Sequence, residues 1–157
     1  MVEVEDAMRS ADGVTTTILR YAALYRPGTS YAPEGEIGRR VRRWMYPIGS
    51  GDAVMSFIHV EEAAAATVAA IEAGVAGTFN VADDEPASAR EWMPAFAAVI
   101  GGRKPLRAPV AIARFVAPEA IIHLATNSRG ASNRRLRETL SWGPRFASWR
   151  EGFAKGL

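Results

Sequence analysis

The stretch Ser56-Phe57-Ile58-His59-Val60-Glu61-Glu62-Ala63-Ala64 contains a change from one type of secondary structure to another. Residues 54–60 (VMSFIHV) are rich in β-branched and apolar side chains, which is typical of a short strand. Residues 61–73 (EEAAAATVAAIEA) are dominated by alanine and begin with two glutamates, so they predict a helix. Gly74 suits the left-handed C-cap position that follows. A strand that leads directly into a helix indicates an α/β protein.

Further strand-like and helix-like segments alternate on both sides of this stretch. Val14 to Tyr21 (VTTTILRY) and Thr78 to Ala82 (TFNVA) have the composition of buried strands. Ser88 and Glu91 have the spacing of a capping box and predict a helix that runs to Gly101. Other helices are predicted over Glu36–Met45, after Pro109 with an interruption at Pro118, over Ser132–Leu140 and after Ser148. No repeat or linker divides the chain, so we expect one unit over residues 1–157.

The composition excludes several classes of protein. The chain has no cysteine, which rules out disulfides and thiolate metal sites, and its two histidines, His59 and His123, lie far apart. A net charge of +2 gives no electrostatic case for nucleic acid, and no stretch is apolar enough to span a bilayer. We therefore expect a cytoplasmic protein that binds neither nucleic acid nor membrane.

Four segments that together cover nearly the whole chain carry a family resemblance. They are Ile18–Gly28 (ILRYAALYRPG), Ser56–Ala64, Gly77–Pro86 (GTFNVADDEP), and a group made of Ser132–Leu136, Leu140–Pro144 and Trp149–Phe153. In this order they resemble the carboxy-terminal half of extended short-chain dehydrogenases/reductases, the NAD-dependent epimerase/dehydratase family. Arg26 stands where the family has glycine, Glu61 and Glu62 replace two aspartates, and Ser141 interrupts the closing Leu-Gly-Trp.

The resemblance implies a specific α/β fold. Val14–Tyr21 and Thr78–Ala82 would be the last strands of a Rossmann-like doubly wound parallel sheet, accompanied by a small mixed substrate-binding lobe. The amino-terminal Rossmann half would be missing from residues 1–157. The first of these strands would then expose an edge, and we expect that missing half or another chain to cover it.

The residues that perform the family's chemistry are absent from this sequence. The family uses a tyrosine as general acid/base and a lysine four residues later that lowers its pKa, because a free tyrosine has a pKa near ~10. The four tyrosines are followed at that spacing by Tyr25, Thr29, Gly35 and Ser50. Neither Gly35–Gly38 nor Gly49–Gly51 completes the glycine-rich dinucleotide fingerprint. We therefore expect no catalytic residue here and no catalysis by this chain alone.

Ligand contacts are still implied by the resemblance. The cofactor, NAD or NADP, would lie against Tyr21, Ala22, Ala23 and Leu24. The substrate, for which a nucleotide-sugar is one candidate, would lie near Tyr25, Arg26 and Arg134. An arginine can pair with a phosphate or carboxylate, although a solvated loop arginine is more common. The first four residues could equally be ordinary buried residues at a strand end.

Other conspicuous residues favour structural roles. His59 lies among apolar neighbours, Glu61 and Glu62 suit a helix start, and the tryptophans suit core positions. The densest positive run is Arg39, Arg40, Arg42 and Arg43, with Trp44 and Tyr46 beside it. This run predicts a solvated helix face or a contact with a diphosphate rather than a nucleic-acid surface.

The leading functional interpretation is the substrate-binding half of an NAD(P)-dependent epimerase/dehydratase or reductase. A non-catalytic binding or interaction module is the alternative from another class, and a truncated remnant of such an enzyme is the third. The enzyme and remnant interpretations predict a glycine-rich loop and Tyr-x-x-x-Lys encoded upstream in frame. The module interpretation predicts a genuine start at Met1 and a partner that covers the exposed strand edge.

Overall fold

Short parallel strand pairs surrounded by helices make up the fold. The computed structural model describes residues 2–10, 12–43 and 47–157. In chain order the elements are α1 (Val2–Arg9), β1 (Thr17–Tyr21), β2 (Ala23–Tyr25), α2 (Glu36–Arg43), β3 (Val54–Met55), β4 (Phe57–His59), α3 (Val60–Ala73), β5 (Gly77–Val81), β6 (Ala87–Ser88), α4 (Ala89–Val99), α5 (Val110–Val116), α6 (Glu119–Asn127), α7 (Arg134–Leu140) and α8 (Trp149–Gly156). Both predicted strands are present as β1 and β5, but β1 begins at Thr17 and none of its residues is fully buried.

The strand pairs confirm the predicted parallel sheet. β1 pairs with β5 in parallel, with Thr17 opposite Gly77 and Tyr21 opposite Val81. β2 pairs with β4 in parallel. Between the two pairs, Ala22 donates its N–H to the Val81 carbonyl at 3.0 Å, so the chain passes from one ladder directly to the next. Within the described residues β1 has a strand partner on one side only.

The predicted single strand over residues 54–60 is wrong in its detail. It is two short strands: β3 pairs antiparallel with β6, whereas β4 pairs parallel with β2. The break falls at Ser56, whose Oγ accepts from the Ala131 N–H at 2.9 Å and donates to the Ala131 carbonyl at 3.1 Å. Val60 already belongs to α3. The bonds to a distant segment explain why local composition does not reveal this change of partner.

Most helix ends follow the local sequence signals. Gly74 closes α3 in the left-handed region at φ +57°. Ser88 and Glu91 form the predicted capping box of α4, and α5 and α6 begin directly after Pro109 and Pro118. The predicted end of α2 at Met45, with Trp44 and Tyr46, lies outside the described residues.

Helix α1 is not predicted by its sequence pattern. Its residues are largely charged, and an ion pair between Glu5 and Arg9 at 3.1 Å connects successive turns. Glu5 also binds Arg20 of β1 through two hydrogen bonds. The helix therefore depends on a tertiary contact as well as on its own residues.

Two apolar clusters form the core on the two faces of β4. Side chains alternate along a strand, so neighbouring residues enter opposite clusters. Phe57 packs into the cluster between α4 and α8, which contains Trp92 and Phe153. Ile58 packs into the cluster between the β1–β5 pair and α3 and α7, which contains Phe79. Strand β4 thus contributes a side chain to each cluster and connects the two.

Helix α8 lies directly against the ends of β2 and β4 because it presents glycines there. Tyr25 and His59 are opposite each other in the ladder, with ring centroids 5.4 Å apart. A Cβ at Gly152 would collide with the Tyr25 hydroxyl, and one at Gly156 would lie 3.0 Å from His59 Cδ2. The two glycines lie four residues apart and therefore share one face of the helix.

We expect Gly152→Ala to lower the free energy of unfolding by about 2 kcal/mol or more. Alanine normally stabilises a helix by about 1 kcal/mol relative to glycine, but here the added methyl group meets the fully buried Tyr25 phenol. Urea unfolding followed by tryptophan fluorescence measures the change.

The control is Gly143→Ala, because a Cβ there has its nearest atom, Arg137 Nε, at 3.9 Å. We expect it to stay within about 0.5 kcal/mol of the wild type. A Gly152→Ala protein as stable as the wild type would contradict the packing of α8 described above.

Candidate cofactor and substrate surface

The four predicted cofactor residues lie where β1 ends and β2 begins. Tyr21 is the last residue of β1, and Ala23 and Leu24 belong to β2. Tyr21 is 42% exposed and Leu24 is 39% exposed, whereas the two alanines are half-buried. Ligands of open α/β sheets bind outside the carboxyl ends of the strands, and this surface lies at that end of β1.

The backbone and side chains of this surface are fixed by hydrogen bonds. Ala23 donates its N–H to the Ser56 carbonyl at 3.0 Å. The Tyr21 hydroxyl lies 2.6 Å from Thr67 Oγ1 on α3, which orients the ring against that helix. Between Tyr21 and Leu24 no side chain extends beyond Cβ, so the strand junction presents a shallow surface.

The structure places Tyr25 in the core, not on a loop that faces a pocket. It is the last residue of β2, is 0% exposed, and its ring contacts His59 and Phe153 edge to face. Burial, reinforced by the charges of Glu62 and Asp83, raises the pKa of its phenol well above the ordinary value. Side chains alternate between the two faces of β2, and Tyr25 points to the face that packs against α8.

Arg26 and Arg134 remain at the surface on separate elements. Arg26 follows β2, and its Nε donates to the Pro27 carbonyl at 3.3 Å within its own loop. Arg134 opens α7, and its Nε lies 3.8 Å from Glu138 Oε1. Among the described residues, no hydrogen bond or ion pair links the loop of Arg26 to the first turn of α7.

Asn133, next to Arg134, has a role that sequence reasoning missed. It is buried, and its side-chain amide donates to the Ala82 carbonyl at 2.9 Å and to Asp84 Oδ1 at 2.7 Å. Arg137 adds an ion pair with Asp84 Oδ2 at 2.8 Å. These bonds fasten α7 to the segment that follows β5. The available signal in the sequence was an asparagine at the start of a predicted helix.

His59 and Glu62 are structural, but Glu62 does more than begin a helix. His59 is 5% exposed, and its Nδ1 accepts the Glu61 N–H at 3.3 Å as the N-cap of α3. Glu62 is also buried, and its Oε1 accepts the Phe146 N–H at 2.6 Å. Glu62 therefore ties the loop before α8 to α3, a contact that the sequence does not indicate.

Asp83, at the end of β5, is a buried carboxyl group that sequence reasoning also missed. It is 1% exposed, and its Oδ1 accepts the Glu85 N–H at 3.3 Å while Oδ2 has no hydrogen-bond partner. Burial raises its pKa from 3.8 to about 7, although backbone N–H groups of Glu85 and Trp149 oppose the shift. Asp83 is consequently charged only at some cost in the folded protein.

Sequence comparison agrees with this architecture. Residues 1–82 match the sequence model of the NAD dependent epimerase/dehydratase family. The chain belongs to this family. The family membership predicted from the four segments is thereby confirmed.

Among curated proteins, a Streptomyces sp. protein named 3-diazoavenalumate denitrifying reductase is similar to this chain. The two are 40% identical over 156 residues, which are 99% of this chain and 51% of the relative. The chain thus spans about half the length of the curated relative that it matches.

Solved structures show the same fold over about half of their own length. A functionally unknown conserved protein from Silicibacter pomeroyi has 25% identity and a TM-score of 0.76 over 98% of this chain and 51% of that one. The human epimerase family protein SDR39U1 with NADPH has 22% identity and a TM-score of 0.79 over 99% of this chain and 52% of that one. NAD(P) is the cofactor of this family.

The described part of the chain contains neither a membrane-spanning helix nor a cluster of metal-ligating side chains. No helix in residues 2–10, 12–43 and 47–157 is long and apolar enough to cross a membrane. In the same ranges no group of three or more histidine or acidic side chains is arranged to hold a metal ion.

We expect Asp83→Asn to change how stability depends on pH. The folded protein holds the Asp83 proton up to a pH of about 7, whereas the ordinary pKa is 3.8. Its contribution to stability is therefore full below about pH 4 and is lost as the pH rises to about 7. The neutral amide should make the variant more stable than the wild type at pH 8 by a few kcal/mol, and equally stable near pH 4.

Urea unfolding at a series of pH values, followed by tryptophan fluorescence, gives both curves. Asp84→Asn, next along the chain, serves as the control, because its charged partner Arg137 lies at the surface. A constant difference between Asp83→Asn and the wild type from pH 4 to pH 8 would rule out the raised pKa of Asp83.

Proposed function

We propose that residues 1–157 form the carboxy-terminal, substrate-binding portion of an NAD(P)-dependent epimerase, dehydratase or reductase, a portion that does not catalyse alone. The exposed junction of β1 and β2 supports this most directly, because it lies at the carboxyl end of a parallel strand. The Tyr-x-x-x-Lys pair and the glycine-rich fingerprint do not occur in these residues. The relatives are about twice as long, which leaves room for both.

The junction of β1 and β2 fits only one end of the cofactor. Tyr21 and Leu24 offer exposed apolar surface, and the alanines between them allow close approach of a flat ring. The turns at Gly35 and Gly49 lack the glycine spacing that would let backbone N–H groups surround a pyrophosphate. When bound, the nicotinamide would supply hydride exchange. The role of this chain would be to orient the nicotinamide ring and to exclude water from it.

The open edge of β1 would receive the other half of the enzyme. Since β1 pairs only with β5 among the described residues, its second edge can add a parallel strand. Exposed apolar residues lie nearby in sequence and on the outer face of α3: Val14 is 64% exposed, Val68 is 53% exposed and Ile71 is 74% exposed. An amino-terminal half that pairs with β1 would complete a doubly wound sheet. If a separate polypeptide covers this edge instead, the chain would be a non-catalytic module.

For the substrate, the comparisons favour a small molecule reduced by NAD(P)H. The curated relative at 40% identity is named as a reductase. The UDP-glucose 4-epimerase of Thermotoga maritima, solved with UDP-glucose, is 20% identical. Arg26, whose guanidinium makes one hydrogen bond within its own loop, would supply a charged group for a carboxylate or phosphate of the substrate. A nucleotide-sugar is the second candidate and would use the same arginine.

Sequencing the DNA upstream of codon 1 tests the proposal first. We expect an open frame that encodes the glycine-rich fingerprint and Tyr-x-x-x-Lys. The joined polypeptide should bind NADPH or NADH, detected by fluorescence, and oxidise it with a suitable substrate, whereas residues 1–157 alone should show no turnover. A stop codon or unrelated sequence upstream would refute the enzyme proposal and leave the non-catalytic module.

Within the joined polypeptide, we expect Leu24→Asp to weaken cofactor binding about tenfold, or by about 1.4 kcal/mol. The carboxylate would replace apolar surface where the ring is proposed to lie. Leu106→Asp is the matched control, because Leu106 is 75% exposed and belongs to another segment. Equal affinities for the two variants would remove the β1–β2 junction from the cofactor site.

A further inference from the structure

An open cleft of about 750 Å³ lies on the face of the β1–β5 pair that points away from α3. Leu19, Phe79 and Val81 pack towards α3 on one face. The alternate residues of the same strands therefore point to the other face, and Arg20 and Asn80 line the cleft there. The cleft also borders residues 14–16 and 76–77 at the amino ends of the two strands. None of its lining residues belongs to the junction Tyr21–Leu24.

Two guanidinium groups are held side by side at this cleft by one carboxylate. Arg20 Nε donates to Glu5 Oε1 at 2.8 Å, and Arg9 Nη2 donates to Glu5 Oε2 at 3.1 Å. Arg9 also donates to Thr78 Oγ1 at 3.0 Å and to Asp6 Oδ1 at 2.7 Å. These bonds fix both arginines before any ligand arrives, so little side-chain entropy is lost on binding.

A third arginine, Arg135 of α7, reaches the rim of the cleft at Gly77, where β5 begins, and has no counter-charge among the described residues. The Arg135 guanidinium lies over the Phe79 ring, 5.2 Å from its centroid. It makes no ion pair or hydrogen bond with any residue that the structure describes. A Cβ at Gly77 would lie 3.1 Å from Arg135 Nη2, so the glycine lets the guanidinium lie close to the sheet. The aromatic ring orients the group and leaves its N–H donors available.

We propose that this cleft binds a compact oxyanion of the phosphate type, such as a phosphomonoester. The Arg135 fork matches two oxygens of a phosphate, and Arg20 and Arg9 supply positive potential on the opposite side. The hydroxyl groups of Thr78 and Ser132 also line the cleft and can donate hydrogen bonds. Glu5 and Asp6 neutralise part of the charge on Arg9 and Arg20, so Arg135 contributes most of the affinity.

Isothermal titration of the 157-residue chain with inorganic phosphate, at low ionic strength, tests the proposal. We expect saturable binding with one site and a Kd on the order of 1 mM. Arg135→Ala should weaken binding about tenfold or more, and raising the salt concentration should weaken it in the wild type. The matched control is Arg114→Ala on α5, whose exposed side chain borders a different hollow with Glu119 and Ile122. It should bind phosphate like the wild type.

The other outcomes are also decisive. Equal losses of affinity in Arg135→Ala and Arg114→Ala would overturn the proposal, because phosphate would then respond only to the overall charge of the protein. Absence of saturable binding would overturn it as well. Titration with succinate distinguishes a phosphate site from a carboxylate site. If succinate binds as tightly as phosphate, the phosphate assignment is overturned. If circular dichroism shows that Arg135→Ala is unfolded, Arg20→Gln replaces it, and unchanged phosphate affinity in that variant would contradict the cleft as the site.

Discussion

The rest of the fold depends on the packing of α8 against the ends of β2 and β4. Tyr25 and His59 are opposite each other in the ladder and pack against a helix face that has glycine at positions 152 and 156. Phe153 on the same helix fills the larger cluster. Strand β2 carries Leu24, the exposed residue next to the end of β1. The surface that we assign to the cofactor is therefore positioned by a helix near the other end of the sequence.

Buried polar groups add a second constraint at the same end of the sheet. Glu62 accepts the backbone N–H of Phe146 in the loop before α8, and Asp83 accepts the Glu85 N–H in the segment after β5. Asn133 fastens α7 to the segment after β5. A buried carboxylate is unfavourable unless it is well bonded, and Asp83 Oδ2 has no partner among the described residues. The loop before α8 is thus fixed by Glu62, whereas the burial of Asp83 reduces stability at neutral pH.

Local signals in the sequence predict much of the fold and little of its buried polar structure. The alanine-rich α3, its Gly74 cap and the capping box of α4 follow from short-range physics, and the resemblance supplied the parallel pairing of β1 with β5. The burial of Tyr25 depends on a glycine in α8, and the break at Ser56 depends on Ala131. Such contacts join residues far apart in sequence, so no local pattern indicates them. The ligand contacts predicted for Tyr21–Leu24, Arg26 and Arg134 stay predictions.

The two faces of the β1–β5 pair differ in polarity, and this limits how a further domain can pack. Parallel sheets usually have both faces covered by helices and are apolar on both. Here the face towards α3 is apolar, whereas Arg20 and Asn80 stand on the other face beneath the charged helix α1. An apolar element laid over that face would bury the ion pair of Arg20 with Glu5, and taking such a pair out of water costs several kcal/mol. An amino-terminal half can therefore extend the sheet at the edge of β1, but over the arginine face it must bring acidic groups or leave the cleft open.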